Sequence, residues 1–229
     1  MLQKFIIWTG LNFDFMVKYL PWYLDAAKLT VTIAFWGILF SLLVGAVCSI
    51  ARYYRVPVVH RIIAVYIELS RNTPLLVQLF FLYFGLPKLG IVLSAHLCAI
   101  IGLAFLGGSY MTESMRSGLE SIDKAQIESA QSLGMGRLLT MKEVIFPQAM
   151  AVSVPGIFAN MIFLIKETSV VSGIALADLM YVTKDLIGLY YETDEALLML
   201  VSAYLILLLP VSILASVLER RLRHAGFGN

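Results

Sequence analysis

Charge disappears from this chain over four long stretches: residues 29–51, 89–112, 144–165 and 196–218 contain no Asp, Glu, Lys or Arg. Each reaches the roughly 20 apolar residues that a helix needs to cross a bilayer. Pro147 and Pro155 interrupt the third stretch, and Pro210 lies inside the fourth. A further span is predicted within residues 57–85, where Glu68 and Arg71 fall in the middle of an apolar run. The pattern predicts an all-α integral membrane protein with five transmembrane helices. Ahead of the first span, residues 12–25 mix Phe13, Phe15, Met16, Tyr19, Trp22 and Tyr23 with Asp14, Lys18 and Asp25. That mixture suits a helix lying in the membrane interface, anchored by aromatic rings. No cleavable signal is expected, because the short apolar patch around Trp8 is followed by no long apolar core with a small-residue cleavage site.

The placement of basic residues orients the spans. Arg52, Arg55 and Arg61 follow the first. Arg116, Lys124, Arg137 and Lys142 lie between the third and fourth, and Arg220, Arg221 and Arg223 end the chain. The opposite side holds Lys4, Lys18, Lys88 and Lys184, and its last loop carries Asp178, Asp185, Glu192, Asp194 and Glu195. The N-terminus is therefore expected outside and the C-terminus in the cytoplasm. The expected organisation is an extracytoplasmic interfacial segment over residues 1–28, one transmembrane domain over 29–220, and a cytoplasmic tail over 221–229.

Composition agrees with the pattern. Hydrophobic residues make up 60% and charged residues 14% of the 229, and the mean hydropathy is +0.86. Seventeen basic and fifteen acidic residues leave a net charge of +2, too little for a nucleic-acid binder. Cys48 and Cys98 lie in apolar runs and read as small core residues, not as a metal pair. Gly107 and Gly108, inside a span, predict close helix packing. His96 reads as a satisfied buried or interfacial histidine, not as a proton relay.

The loop over residues 116–143 balances four basic against four acidic residues. Ile127, Ala130, Leu133, Met135, Leu138 and Leu139 supply an apolar face, and Gly134 and Gly136 break it into two short helices. Such a pair is either a plain surface loop or an element that inserts into a partner's groove. Within it, Glu128-Ser129-Ala130, three residues, Gly134, nine residues and Val144-Ile145-Phe146-Pro147 resemble the EAA signature. That signature marks membrane permease subunits of binding-protein-dependent ABC importers. Ser129, Val144 and Phe146 are small or apolar departures from it. Arg71-Asn72-Thr73-Pro74-Leu75-Leu76-Val77-Gln78 is similar to a stretch of the polar amino acid permeases (the histidine, glutamine, arginine and cystine type), with Asn72 where they carry glycine. Glu113-Ser114-Met115-Arg116-Ser117-Gly118, Pro147-Gln148-Ala149 and Lys166-Glu167-Thr168-Ser169 resemble further motifs of the same branch.

The resemblance implies the type I importer permease fold, in a bacterial cytoplasmic membrane. It implies two permease chains, the second being the same or homologous, above two cytoplasmic ATPases. An extracytoplasmic amino acid binding protein would deliver the substrate. Glu128, Ser129, Ala130 and Gly134 would form the coupling helix, with the small Ser129 and Ala130 letting the ATPase approach. The chain has no G-x-x-x-x-G-K-[ST] loop, so no cofactor is expected in it; ATP and magnesium would belong to the partner, and the chain itself is no enzyme.

Charged and polar groups within spans are the candidates for the pathway. Glu68 and Arg71 are spaced to pair on one helix face. Thr73-Pro74 predicts a helix break, since proline removes a donor, and a broken helix exposes backbone groups to a substrate. Arg71, Asn72, Thr73, Pro74, Gln78 and Asn160 are therefore pathway candidates, with Asn160 alternatively bonding a neighbouring helix. Lys166, Glu167, Thr168 and Ser169 are candidates for an outer gate or a subunit interface. The run Asn160-Met161-Ile162-Phe163 lacks an acid, which points from a purely cationic substrate toward a zwitterionic one such as glutamine or cystine. The rival readings are an ATP-independent small channel or secondary transporter, and a membrane scaffold that recruits a partner. A five-span chain cannot hold two equal inverted halves, so a symmetric pathway would need two chains paired about a two-fold axis.

Overall fold

The computed structural model describes residues 11–222. Residues 1–10 and most of the expected tail over 221–229 lie outside the described residues. Among the described residues every regular element is a helix. Helix α1 (Phe13–Tyr53) is followed by α2 (Val59–Arg71) and α3 (Leu75–Phe80), and α3 continues through a π turn (Phe81–Gly85) and a 3₁₀ turn (Leu86–Leu89). Then come α4 (Ala95–Glu120), the short α5 (Lys124–Ser132) and α6 (Arg137–Thr140), and α7 (Phe146–Glu167), which runs into a 3₁₀ turn (Thr168–Ile174). Helices α8 (Leu179–Tyr190) and α9 (Thr193–Leu222) close the chain.

Four stretches are long and apolar enough to cross a membrane: Phe13–Tyr53, Ala95–Glu120, Arg137–Ile174 and Thr193–Arg221. The remaining expected span is broken between α2 and α3, and neither piece would cross by itself. Pro74 sets the break, because it cannot donate to the preceding turn and biases Thr73 away from helical geometry.

Residues 12–25 differ from expectation. They make no separate helix but begin the 41 residues of α1. Phe15, Tyr19 and Tyr23 recur every fourth residue, so they share one face. That face is buried against Leu179, Val182 and Leu186 of α8 and Ala196, Met199 and Leu200 of α9. The Tyr23 hydroxyl donates to the Ala196 carbonyl at 2.8 Å. Asn12 caps α1 by accepting from the Phe15 amide at 3.1 Å, and its own amide donates to Glu195 Oε1 at 2.6 Å. The start of α1 is thus tied to the start of α9.

The core forms where α1, α4 and α7 meet, around Ile33, Ile38, Leu103, Met111 and Leu164. Small residues let these helices approach. A Cβ on Gly45 of α1 would stand 2.5 Å from the Met111 Cβ of α4, and one on Gly107 would strike Ser41. A Cβ on Gly118 would strike the Ala149 carbonyl and Ser153 of α7. His96 is exposed on the first turn of α4 and is not buried. Helix α9 behaves differently from the core helices: only 11% of its most apolar stretch is buried within the chain.

Candidate functional site

The broken helix gives one site its shape. Helical bonding stops after the Asn72 backbone amide, which still reaches the Glu68 carbonyl at 3.1 Å, and side chains of the motif bond the carbonyls around the break. The Asn72 side-chain amide donates to the Glu68 carbonyl at 2.8 Å, and the Thr73 hydroxyl to the Leu69 carbonyl at 2.8 Å. The Gln78 amide reaches back to the Ser70 and Thr73 carbonyls, each at 3.0 Å. In an apolar medium such groups must be satisfied internally. The motif therefore caps its own break, and these carbonyls are not the open ligands that the sequence suggested. Asn72 sits at φ −92°, an ordinary value that needs no glycine. Its amide also donates to the Glu68 carboxylate at 3.0 Å.

Beside the break lies a cavity of about 590 Å³, within the usual range for small-molecule sites. Arg71, Asn72, Thr73 and Pro74 line one wall, and Tyr110 of α4 and Phe163 of α7 another. Glu167, Ser172 and Lys184 complete it. The expected Glu68–Arg71 pair does not form. The Arg71 guanidinium instead stands over the Tyr110 ring at 5.0 Å, whose own edge meets Phe163 with centroids 5.3 Å apart. The Lys184 ammonium donates to the Ser172 hydroxyl at 3.1 Å. Two cations and one carboxylate thus face a single cavity with aromatic walls.

The other pathway and gate candidates lie elsewhere. Gln78 is absent from the cavity wall, and its amide bonds the carbonyls of the helix break. Asn160 takes the second of its two expected roles, donating to the Ser114 hydroxyl of α4 at 2.9 Å. Of the run Lys166–Ser169, only Glu167 enters. Thr168 is buried and donates to the Ile165 carbonyl at 2.7 Å; Lys166 is exposed, and Ser169 is not part of the wall. The sequence reading missed Tyr110, Phe163, Ser172 and Lys184. Lys184 carried a signal, being the basic residue in an otherwise acidic loop.

At the foot of that loop, Asp178 caps α8, its Oδ1 accepting from the Tyr181 amide at 2.9 Å. Its Oδ2 is buried with no partner among the described residues. Burial pushes this carboxyl up to about 6, against the opposing pull of backbone amides and the Lys184 charge.

The second site is the loop between α4 and α7. Asp123 starts α5 by accepting from the Ala125 amide at 2.9 Å. The Gly134 amide bonds the Gln131 carbonyl at 2.9 Å and the Met135 amide bonds the Ala130 carbonyl at 3.1 Å. Gly134 itself takes φ +80°. This is the paired-bond helix stop that places glycine just past the end. Reversal at Gly134 splits the expected apolar face. Ile127 packs inward against Leu119, Ile122, Ile145 and Ala149, and Ala130 is only 5% exposed. Leu133 and Leu138 point outward at 83% and 84% exposure. Ala130 therefore serves this chain's own packing and presents no surface to a partner, whereas Glu128 and Ser129 are exposed. Gln148 of α7 donates to the Gln126 side chain at 2.7 Å, which ties α5 to a spanning helix. Among the described residues no cluster of three His, Cys, Asp or Glu is placed to hold a metal ion.

Comparison with known proteins agrees with this architecture. Residues 37–224 match the family described as the binding-protein-dependent transport system inner membrane component. A probable amino-acid ABC transporter permease, PatM of Vibrio harveyi, is 37% identical over 75% of this chain and 78% of its own length. A probable glutamine ABC transporter permease, GlnP of Bacillus subtilis, is 39% identical over 72% of this chain and 75% of its own. Among solved structures, an amino acid ABC transporter with histidines superposes with a TM-score of 0.85 at 31% identity, covering 92% of this chain and 99% of the other. The inward-facing MetNI methionine transporter shares the fold, at a TM-score of 0.68 and 16% identity over 93% of this chain and 99% of its own. With the apolar helices, the self-capped break and the glycine-stopped loop already placed, these matches make the chain a member of the binding-protein-dependent inner membrane components, in their amino acid ABC permease branch, and a transport subunit, not an enzyme.

Proposed function

We propose that this permease moves a polar, zwitterionic amino acid inward across a bacterial cytoplasmic membrane by alternating access. Five crossings, with the α2–α3 segment as the broken one, place residues 116–143 in the cytoplasm. There Glu128, Ser129, Leu133 and Leu138 dock into a cytoplasmic ATP-binding-cassette ATPase, two copies of which serve two permease chains. The second permease is this chain or a homologue, and an extracytoplasmic amino acid binding protein supplies the substrate. ATP and magnesium act on the ATPase.

The observation that carries this reading is the cavity faced by Arg71, Lys184 and Glu167 together. A zwitterion presents a carboxylate to the cations and an ammonium to the carboxylate. Tyr110 and Phe163 cover its apolar carbons. A purely cationic side chain would meet two like charges for each opposite one. The glutamine assignment of the Bacillus subtilis relative is consistent with that preference.

The test is uptake of radiolabelled glutamine by proteoliposomes holding the complete transporter. Arg71→Met and Glu167→Gln should each lower uptake by about tenfold or more, the worth of one charge-assisted hydrogen bond. Wild-type uptake in both variants would remove the cavity from the pathway. Uptake that continues without ATP would replace the importer with the channel or secondary-transporter alternative.

A further inference from the structure

A second cavity, of about 960 Å³, shares no lining residue with the zwitterion site. It lies between the end of α1, the start of α2, the end of α4 and the start of α5. Its charged lining is strongly one-sided: Arg52, Arg55, Arg61, Arg116 and Lys124 against Glu120, with the His60 ring beside them. Two of these cations are already neutralised. Arg52 bonds Glu113 at 2.7 Å, and Arg116 bonds both Glu113 and Glu120. Arg55, Arg61 and Lys124 have no carboxylate within ion-pair distance among the described residues. Arg52 Nε and His60 Nδ1 are shut off from water and have no hydrogen-bond partner. These two atoms are enclosed by protein and out of reach of a ligand; the unpaired Arg55, Arg61 and Lys124 around one cavity are what make it complementary to an anion.

The mouth of the cavity indicates where that anion comes from. The loop from α1 to α2 exposes Tyr54, Val56, Val58 and Val59 beside the arginines, Val58 at 69%. Val58 takes φ +66°, a strained value for a β-branched residue, so the backbone is held in a form that displays it. An apolar loop around a basic cavity, at the end of a spanning helix, fits the boundary of acyl chain and headgroup. A free phosphate ion would make no use of the apolar rim.

We infer that this cavity binds the phosphate headgroup of an anionic phospholipid from the cytoplasmic leaflet. The inference rests on the orientation proposed above. The headgroup sits between α1, α2 and α4 and the inward face of α5, where Lys124 and Ile127 line the cavity. Glu128 and Ser129, on the exposed surface of α5, remain open to the ATPase. The lipid therefore joins the coupling helix to the spanning helices.

Native mass spectrometry of the delipidated transporter complex, titrated with phosphatidylglycerol, phosphatidylcholine or inorganic phosphate, tests this directly. Phosphatidylglycerol should bind in preference to phosphatidylcholine. The double variant Arg55→Gln, Arg61→Gln should weaken it by about 30-fold, from the worth of two basic residues near an anionic lipid. Both arginines are exposed and lie outside every ion pair among the described residues, so the fold is expected to survive. The variant Lys18→Gln, Lys88→Gln removes the same charge elsewhere and should bind as wild type. Equal binding of the two lipids, an unchanged double variant, or loss of binding in the control would each overturn the inference. Competition by inorganic phosphate at the affinity of the lipid would overturn the lipid assignment in favour of a free phosphate. None of these readouts requires transport, so failure of the coupling or substrate reading leaves the result interpretable.

Discussion

Gly134 and Asp178 illustrate how single residues carry conformation and charge here. Nothing lies within 4 Å of a Cβ built on Gly134, so space does not forbid substitution. Its φ of +80° does, at about 1–2 kcal/mol for an ordinary residue. Gly134→Val should therefore leave the chain inserted and folded while abolishing ATP-driven uptake, because the turn after α5 is lost. Glu128→Lys should do the same by reversing an exposed charge. Normal ATP-driven uptake by both in proteoliposomes would refute the coupling role. Asp178 makes a pH prediction. Its folded pKa, about 6, stands above the unfolded value of about 3.9. Its contribution is then fully present below about pH 4 and is lost as pH rises through about 6, amounting to about 3 kcal/mol. Asp178→Asn keeps an oxygen for the Tyr181 amide and cannot ionise. Thermal unfolding in detergent should show a flatter slope between pH 4 and 7 in this variant, and an unchanged slope would contradict the burial argument.

At the scale of elements, the α2–α3 break is a designed interruption. Pro74 prevents continuation, and Asn72, Thr73 and Gln78 bond the carbonyls around the interruption. Gln78→Leu would strand the Ser70 and Thr73 carbonyls in an apolar setting, at about 1–3 kcal/mol for an unsatisfied group. Its thermal midpoint should fall clearly, whereas Asn72→Gly should fall less, since glycine tolerates the local backbone and only the bonds to Glu68 are lost. Equal midpoints for Gln78→Leu and wild type would mean that water or lipid headgroups satisfy the break. The break was legible in sequence because proline acts on its own backbone. The closure of the break was not, because Gln78 reaches back across it by a side chain whose direction no periodicity records.

Across the whole molecule, packing density divides the helices into two kinds. Helices α1, α4 and α7 meet through glycine and serine, and Gly45 faces Met111 with no room for a methyl group. Gly45→Ala should cost about 1–3 kcal/mol, the usual range for overpacking, and lower the thermal midpoint of the purified transporter. Gly188→Ala on α8, where nothing lies within 4 Å, should not lower it. If both behave alike, helix propensity and not the α1–α4 contact governs stability. Helix α9 shows the other kind, with 11% of its apolar stretch buried; its surface belongs to lipid or to an assembled partner.

The amino-acid sequence by itself determined the membrane character, the long charge-free helices, the break at Pro74 and the turn at Gly134. Each of these follows from local physics: a run of apolar residues, a missing donor, or a backbone angle open to glycine. Only the tertiary structure decided which faces turn inward. Phe15, Tyr19 and Tyr23 pack against α8 and α9, Ala130 turns into its own chain, and Lys184 joins Arg71 across more than a hundred residues. In water, hydrophobicity separates inside from outside, but lipid is as apolar as a protein core. Polarity patterns along a spanning helix therefore say little about which face meets protein. Close approach at glycine and serine and long-range charge placement decide it, and these exist only once the helices are packed.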